Sequence, residues 1–187
     1  MKSEKKSIRD DVTSLELVGG PEPLHVELRD YDPQWASDFL THRANILQAL
    51  AGESIGVEHI GSTSVPGLAA KPIIDIVVVV ADITAEEDYL DQLVAAGYEL
   101  RTREPGHRLV RTPGRDVHVH IYERGAVAVS EYLLLRDHLR SDAEDRALYA
   151  DVKQSLMTRR WNDSNDYAAA KTDVIAAIKD RARAARA

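Results

Sequence analysis

Residues 73–80, IIDIVVVV, constrain the fold more than any other stretch of this chain. Successive side chains of a strand point to opposite faces, so a strand that is apolar at both parities must be covered on both sides. The chain is therefore expected to build a sheet with helices against each face. Asp75 interrupts the run. An unpartnered carboxylate there would lose several kcal/mol of solvation or take up a proton. It is expected at an open strand end, beside a cation such as Lys71, or on a metal ion. Groups under such pressure cluster in functional sites, which makes Asp75 the first candidate catalytic residue and metal ligand.

The segment just upstream, GSTSVPGL (61–68), links two strands. Gly61 permits positive φ or a close backbone approach. Ser62, Thr63 and Ser64 offer hydroxyls, and exposed N–H groups of such a turn can hold phosphate oxygens. No Gly-Lys-Ser/Thr follows, so it is not a P-loop. An ordinary Ser/Thr-rich turn is the competing reading.

Downstream, DVHVHIY (116–122) alternates, so Asp116, His118, His120 and Tyr122 share one strand face. His118 and His120 are candidate metal ligands or acid/base groups; a solvent-facing polar strand face is the alternative. Arg101, Arg103, His107, Arg108, Arg111 and Arg115 are candidates for a basic wall around an anion, against the alternative of a solvated hairpin. In RDHLR (136–140), Arg136 and Arg140 lie on one helix face, as do Tyr167 and Lys171. Glu58 and His59 point to opposite faces of their strand, and one of them should face the site.

Around these motifs the chain reads as a mobile N-terminal arm over 1–22 and a single α/β (α+β) domain over 23–187. That domain divides into an α/β half (23–125) and a helical half (126–187). Strands are predicted at 24–28, 55–60, 73–80, 98–101, 107–112 and 116–122. Helices are predicted from Asp32-Pro33 onward, at 85–96 ending on Gly97, and near 128–140, 143–159 and 164–184. Leu148, Val152 and Leu156 step by four and mark the expected buried face of one late helix. The absence of cysteine removes disulfides, thiolate metal sites and a cysteine nucleophile. The charged N-terminus and short apolar runs predict neither a secretory signal nor a membrane span, and a cytoplasmic protein is expected. A net charge of −7 argues against sequence-independent nucleic-acid binding, but not against a small anion in a basic cleft.

Taken together, VEHIGSTSVPGLAAKPIIDIVV (57–78), Gly97-Tyr98, EPGHR (104–108), HVH (118–120), RDHLR and Tyr167-x-x-x-Lys171 resemble the GrpB family over roughly residues 24–180. The resemblance implies a nucleotidyltransferase-like fold, a mixed β-sheet with flanking helices and a C-terminal helical part. It also implies a link to dephospho-CoA kinase, to which such domains occur fused. In active nucleotidyltransferases a Gly-Ser turn holds the triphosphate, and two acids at i and i+2 of the next strand, with a third nearby, hold divalent metals. Gly61-Ser62 match the turn and Asp75 the first acid, but Val77 stands where the second should be. Asp75, His118, His120 and Glu58 are then the candidate ligands of a divalent ion (Mg²⁺, Mn²⁺ or Zn²⁺). Gly61, Ser62, Thr63, Ser64, Lys71, Arg108, Arg136 and Lys171 are the candidate phosphate contacts. The implied ligand is a nucleotide or another small phosphorylated molecule.

Overall fold

The computed structural model describes residues 10–22, 27–50, 56–159, 161, 166 and 169–186. Its described strands form one six-stranded mixed sheet in the order β1-β4-β5-β6-β3-β2. The strands are β1 (Glu16–Leu17), β2 (Gly56–Ile60), β3 (Ile74–Val80), β4 (Glu99–Glu104), β5 (His107–Arg111) and β6 (Val117–Glu123). β3 and β6 run parallel and every other pair is antiparallel. The described helices are α1 (Gln34–Ala49), α2 (Leu90–Ala95), α3 (Val127–Ser141), α4 (Ala143–Leu156) and α5 (Thr172–Ala184). All six described strands precede Val127, and α3, α4 and α5 follow it. None of the described helices is long and apolar enough to cross a membrane.

Registry gives the sheet two unlike faces. One carries Val57, Ile74, Ile76, Val78, Val80, Val110, Val117, Val119 and Ile121, all in the main core with Trp35, Ile46 and Leu50 of α1 and its end and with Leu90 and Leu93 of α2. Burying each such side chain contributes roughly 1.5–3 kcal/mol. The other face follows from the pairs Glu58↔Val77, Ile60↔Asp75, Asp75↔His118 and Val77↔His120, which point the same way. Helix α3 lies over this second face, where Tyr132 approaches His120 and Tyr122. A second apolar cluster of Val65, Leu68, Leu139, Tyr149 and Ile178 ties the 61–68 loop to α3, α4 and α5.

α1 starts one residue later than the Asp32-Pro33 signal suggests, at Gln34 with Pro33 as its N-cap, and the Asp32 carboxylate accepts the Gln34 N–H at 2.9 Å. The 85–96 prediction resolves into a single 3₁₀ turn, Glu86–Asp88, followed by the shorter α2. Gly97 closes it at φ 95°. In α4 Leu156 is buried as expected, but the rest of the stripe runs through Asp145, Tyr149 and Lys153, while Leu148 is 43% exposed. The strand predicted at 24–28 falls mainly outside the described residues; Arg29 beside it forms one bridge to Ala70.

The N-terminal arm departs from expectation. Its described part, residues 10–22, lies against the sheet: β1 pairs with β4, Asp11 binds Arg108 at 2.7 Å and Glu22 binds Arg111 at 2.8 Å. The sequence shows a charged and polar segment that closes on Gly19-Gly20-Pro21. What it hides is that these acids match arginines in the β4–β5 hairpin.

Candidate functional site

The turn after β2 is built around Gly61, at φ 71° and ψ −176°. Only glycine adopts that conformation freely. A Cβ on Gly61 would run into the Asp75 carboxylate and come within 3.0 Å of the Asp75 Cβ. The glycine therefore lets the turn backbone press against the acid. Thr63 and Ser64, expected to contact phosphate, are 2% and 4% exposed and serve the turn itself. Thr63 Oγ1 donates to the Ile73 carbonyl at 3.1 Å and meets His59 Nε2 at 3.0 Å. Ser64 Oγ donates to the Gly61 carbonyl at 2.6 Å. His59 itself faces away from Asp75 on its strand; burial lowers its pKa to about 4, with the Asp75 charge opposing and the Arg140 and Arg136 charges adding.

Asp75 sits between two imidazoles. His118 Nδ1 and His120 Nε2 each lie 3.7 Å from Asp75 Oδ1. The side chains are 30%, 26% and 19% exposed for Asp75, His118 and His120, so the cluster is reachable from solvent. Burial alone would raise the pKa of the Asp75 carboxyl. Contact with the His120 ring and the charges of His120, His118 and Lys171 outweigh it and hold the group below its ordinary value. Burial lowers the His118 pKa, against the pull of Asp75. Asp116 stays apart, accepting from Thr112 Oγ1 at 2.6 Å.

Behind His120 stands a chain of polar contacts. His107 Nε2 lies 3.2 Å from His120 Nδ1, and His107 Nδ1 lies 2.9 Å from Glu104 Oε2. The His107 ring stacks on Tyr122 at 4.6 Å.

Three lysines stand near the Gly61 turn and Asp75. Lys153, only 2% exposed, donates to Ser62 Oγ at 3.1 Å and to the Ala69 carbonyl, with its amine over the Tyr149 ring. Burial, helped by the Lys171 charge, brings its pKa down to about 7. Lys171 is lowered to about 8 by burial and by Lys71, with Asp75 opposing. Lys71 is lowered by burial, again against Asp75. Lys153 was missed at the sequence level. Its signal is a lysine set on the apolar stripe of a helix, between Tyr149 and Leu156.

Other expected contacts are placed elsewhere. Arg108 pairs in register with Ile121, on the face opposite Asp75, and is bound by Asp11 and Glu86 at 2.7 Å each. It cannot reach a phosphate held at Asp75. Arg103 binds Glu86 and Glu16, Arg111 binds Glu22 and Glu99, and Arg101 and Arg115 both approach Glu22. The expected basic wall is thus a set of ion pairs. Glu58 shares the face of Asp75, but its carboxylate is turned to Arg136 at 2.8 Å, and both are absorbed there. Arg136 also donates to the His59 carbonyl and Arg140 to the Ser64 carbonyl, so the RDHLR helix clamps the Gly61 turn. Tyr167 lies outside the described residues, while Lys171 of the same motif is at the site.

The GrpB protein model matches residues 25–181. This chain belongs to the GrpB family. The assignment accords with a UPF0157 protein of Streptomyces coelicolor, 71% identical over 95% of each chain. The crystal structure of conserved protein GrpB from Enterococcus faecalis superposes with TM-score 0.73 at 32% identity, over 83% of this chain and 96% of that one. A dephospho-CoA kinase of Mycolicibacterium paratuberculosis is 30% identical over 78% of this chain but only 43% of its own length. Cid1 in complex with the UTP analog UMPNPP matches at TM-score 0.51 and 16% identity, over 68% of this chain and 42% of that one. That likeness shows the nucleotidyltransferase-like fold and nothing finer.

On this GrpB scaffold the donors of Asp75, His118 and His120 lie within 4.8 Å of one another. One oxygen and two imidazole nitrogens suit zinc or manganese better than magnesium, which prefers oxygen. A pair of magnesium ions does not fit, because Val77 supplies no oxygen and is fully buried.

Proposed function

We propose that this protein binds a small phosphorylated molecule, of nucleotide or CoA type, against one divalent ion held by Asp75, His118 and His120. From it a nucleotidyl or phosphoryl group passes to an acceptor. One observation carries the reading: a carboxylate and two imidazoles meet on the sheet face where the Gly61-Ser62 turn and Lys71, Lys153 and Lys171 converge. Lys171 and Lys71 bring positive charge to a partly desolvated setting, where it attracts phosphate oxygens more strongly than it would in water. Lys153 holds Ser62 and presents its amine beside the turn; Lys171 and Lys71 lie close enough to Asp75 to feel its charge. When bound, the ion would polarise a phosphoryl oxygen and orient the transferred group. The side chains do the remaining work of positioning the phosphate and excluding water.

A second reading, a binding module without turnover, is favoured by the buried Val77, since the paired carboxylates of two-metal transfer are missing. The dephospho-CoA kinase relatives make such a kinase its natural partner. A cytoplasmic setting, where nucleotides and CoA precursors are found, accords with either reading.

Calorimetry with Zn²⁺, Mn²⁺ and Mg²⁺, then with nucleotides and dephospho-CoA, separates these cases. Phosphorus NMR across an acceptor panel then tests turnover. Ion binding lost in Asp75→Ala, and nucleotide binding lost in Lys171→Ala, are expected. Binding without turnover selects the module, and no binding of any ion or phosphorylated molecule overturns both readings.

A further inference from the structure

We propose that Glu104 and His107 are positioning residues that fix the His120 ring as its Nδ1–H tautomer, so that Nε2 offers a lone pair toward Asp75 and the centre selects a zinc-type ion over magnesium. The inference rests on the metal reading above and assigns the part that the β4–β5 hairpin plays in it.

The argument follows protons along the row. The Glu104 carboxylate can only accept, so His107 Nδ1, 2.9 Å away, must be the donor. A neutral His107 then has its lone pair on Nε2. His120 Nδ1 lies 3.2 Å from that atom, so it must carry the proton of the second contact. With that proton on Nδ1, the lone pair of an uncharged His120 ring is on Nε2, 3.7 Å from Asp75 Oδ1. An imine nitrogen and a carboxylate oxygen facing each other are two acceptors, so a cation must stand between them: a second proton on the ring, which is the contact that lowers the Asp75 pKa, or a metal ion. The separation is close to the ~3.4 Å that two donors ~2.1 Å from one tetrahedral ion span.

The row is held by the sheet. Glu104 pairs with His107 across β4 and β5, and His107 with Tyr122 across β5 and β6. The His107 ring lies nearly parallel to Tyr122 at 4.6 Å and to His120 at 5.3 Å. It therefore has little freedom to rotate away. Such outer partners set ligand orientation and basicity, and their loss lowers metal affinity by roughly 10–100-fold.

The test has two readouts. Long-range ¹H–¹⁵N correlation NMR of the metal-free protein reports which nitrogen of His120 bears the proton. Calorimetry reports Zn²⁺ and Mg²⁺ affinity for wild type, His107→Phe and Glu104→Ala. His107→Phe keeps a ring against Tyr122, and Glu104→Ala leaves that stack intact should the first variant fail to fold. The expected results are a His120 Nδ1–H ring, zinc bound at least about 100-fold more tightly than magnesium, and about 10–100-fold weaker zinc binding in the variants. A ring protonated on Nε2 or on both nitrogens, or equal zinc affinity in all three proteins, overturns the proposal. A wild-type chain with the Nδ1–H ring that takes up neither ion overturns the metal reading of the previous subsection, and the ion selectivity with it.

Discussion

The two faces of β3 and β6 are made by alternate residues of the same strands, yet they do opposite things. Ile74, Ile76, Val78, Val117, Val119 and Ile121 point into a sealed apolar core against α1 and α2. Asp75, His118 and His120 point the other way, where solvent reaches them in part and lysines stand nearby. The sealed face supplies stability, and the open face can tolerate polar groups because it does not have to. The contrast explains how a carboxylate persists in the middle of IIDIVVVV: its parity places it outside the core that its neighbours make.

Substitutions on the two faces should therefore separate stability from binding. Ile76→Ala, at a fully buried position, is expected to lose about 3–4 kcal/mol by leaving a cavity. His118→Ala one face over should change stability by under ~1 kcal/mol while abolishing ion uptake. Denaturant titration of both measures the difference, and equal losses would break the contrast between the faces. Gly61→Ala tests the seam between turn and acid. Its positive φ and the contact with Asp75 predict a loss of about 2–3 kcal/mol, accompanied by weaker nucleotide binding in calorimetry.

Lys153 sharpens the comparison through pH. In the unfolded chain its amine keeps a proton up to its ordinary value of 10.5, whereas burial releases it near 7 in the folded chain. Between those values the unfolded state binds more protons, so this group makes stability rise with pH. Lys153→Met removes that contribution. From pH 7 to pH 9 wild type should gain about 2 kcal/mol relative to the variant, measured by urea unfolding at each pH. An equal slope in both proteins would place the amine in solvent rather than under the Ser62 turn. The smallest effect is expected at the arm. Glu16 is 56% exposed where it meets Arg103, so Glu16→Ala should shift stability by no more than ~0.5 kcal/mol.

Much of the candidate site was legible from local pattern. The alternation of DVHVHIY placed His118 and His120 on one parity, and the i, i+4 spacing of Arg136 and Arg140 placed both on one face of α3. The misreadings arose where a partner lies far along the chain. Arg108 looks like a phosphate contact until Asp11, 97 residues earlier, is seen to bind it. Glu58 looks like a ligand until Arg136 claims it. Thr63 and Ser64 look like phosphate donors until the turn uses their hydroxyl protons.

The sequence by itself determined that β3 must be buried on both sides, that Asp75 must have a reason to be there, and that Gly61 is free to take a conformation other residues resist. Those are properties of single strands and turns, whose periodicity and sterics are local. Tertiary structure alone decided that β3 pairs in parallel with β6 so that Asp75 stands beside His118, and that α4 delivers Lys153 to a serine 91 residues away. Register and helix docking are fixed by how whole faces pack together, and no short window of residues contains that information.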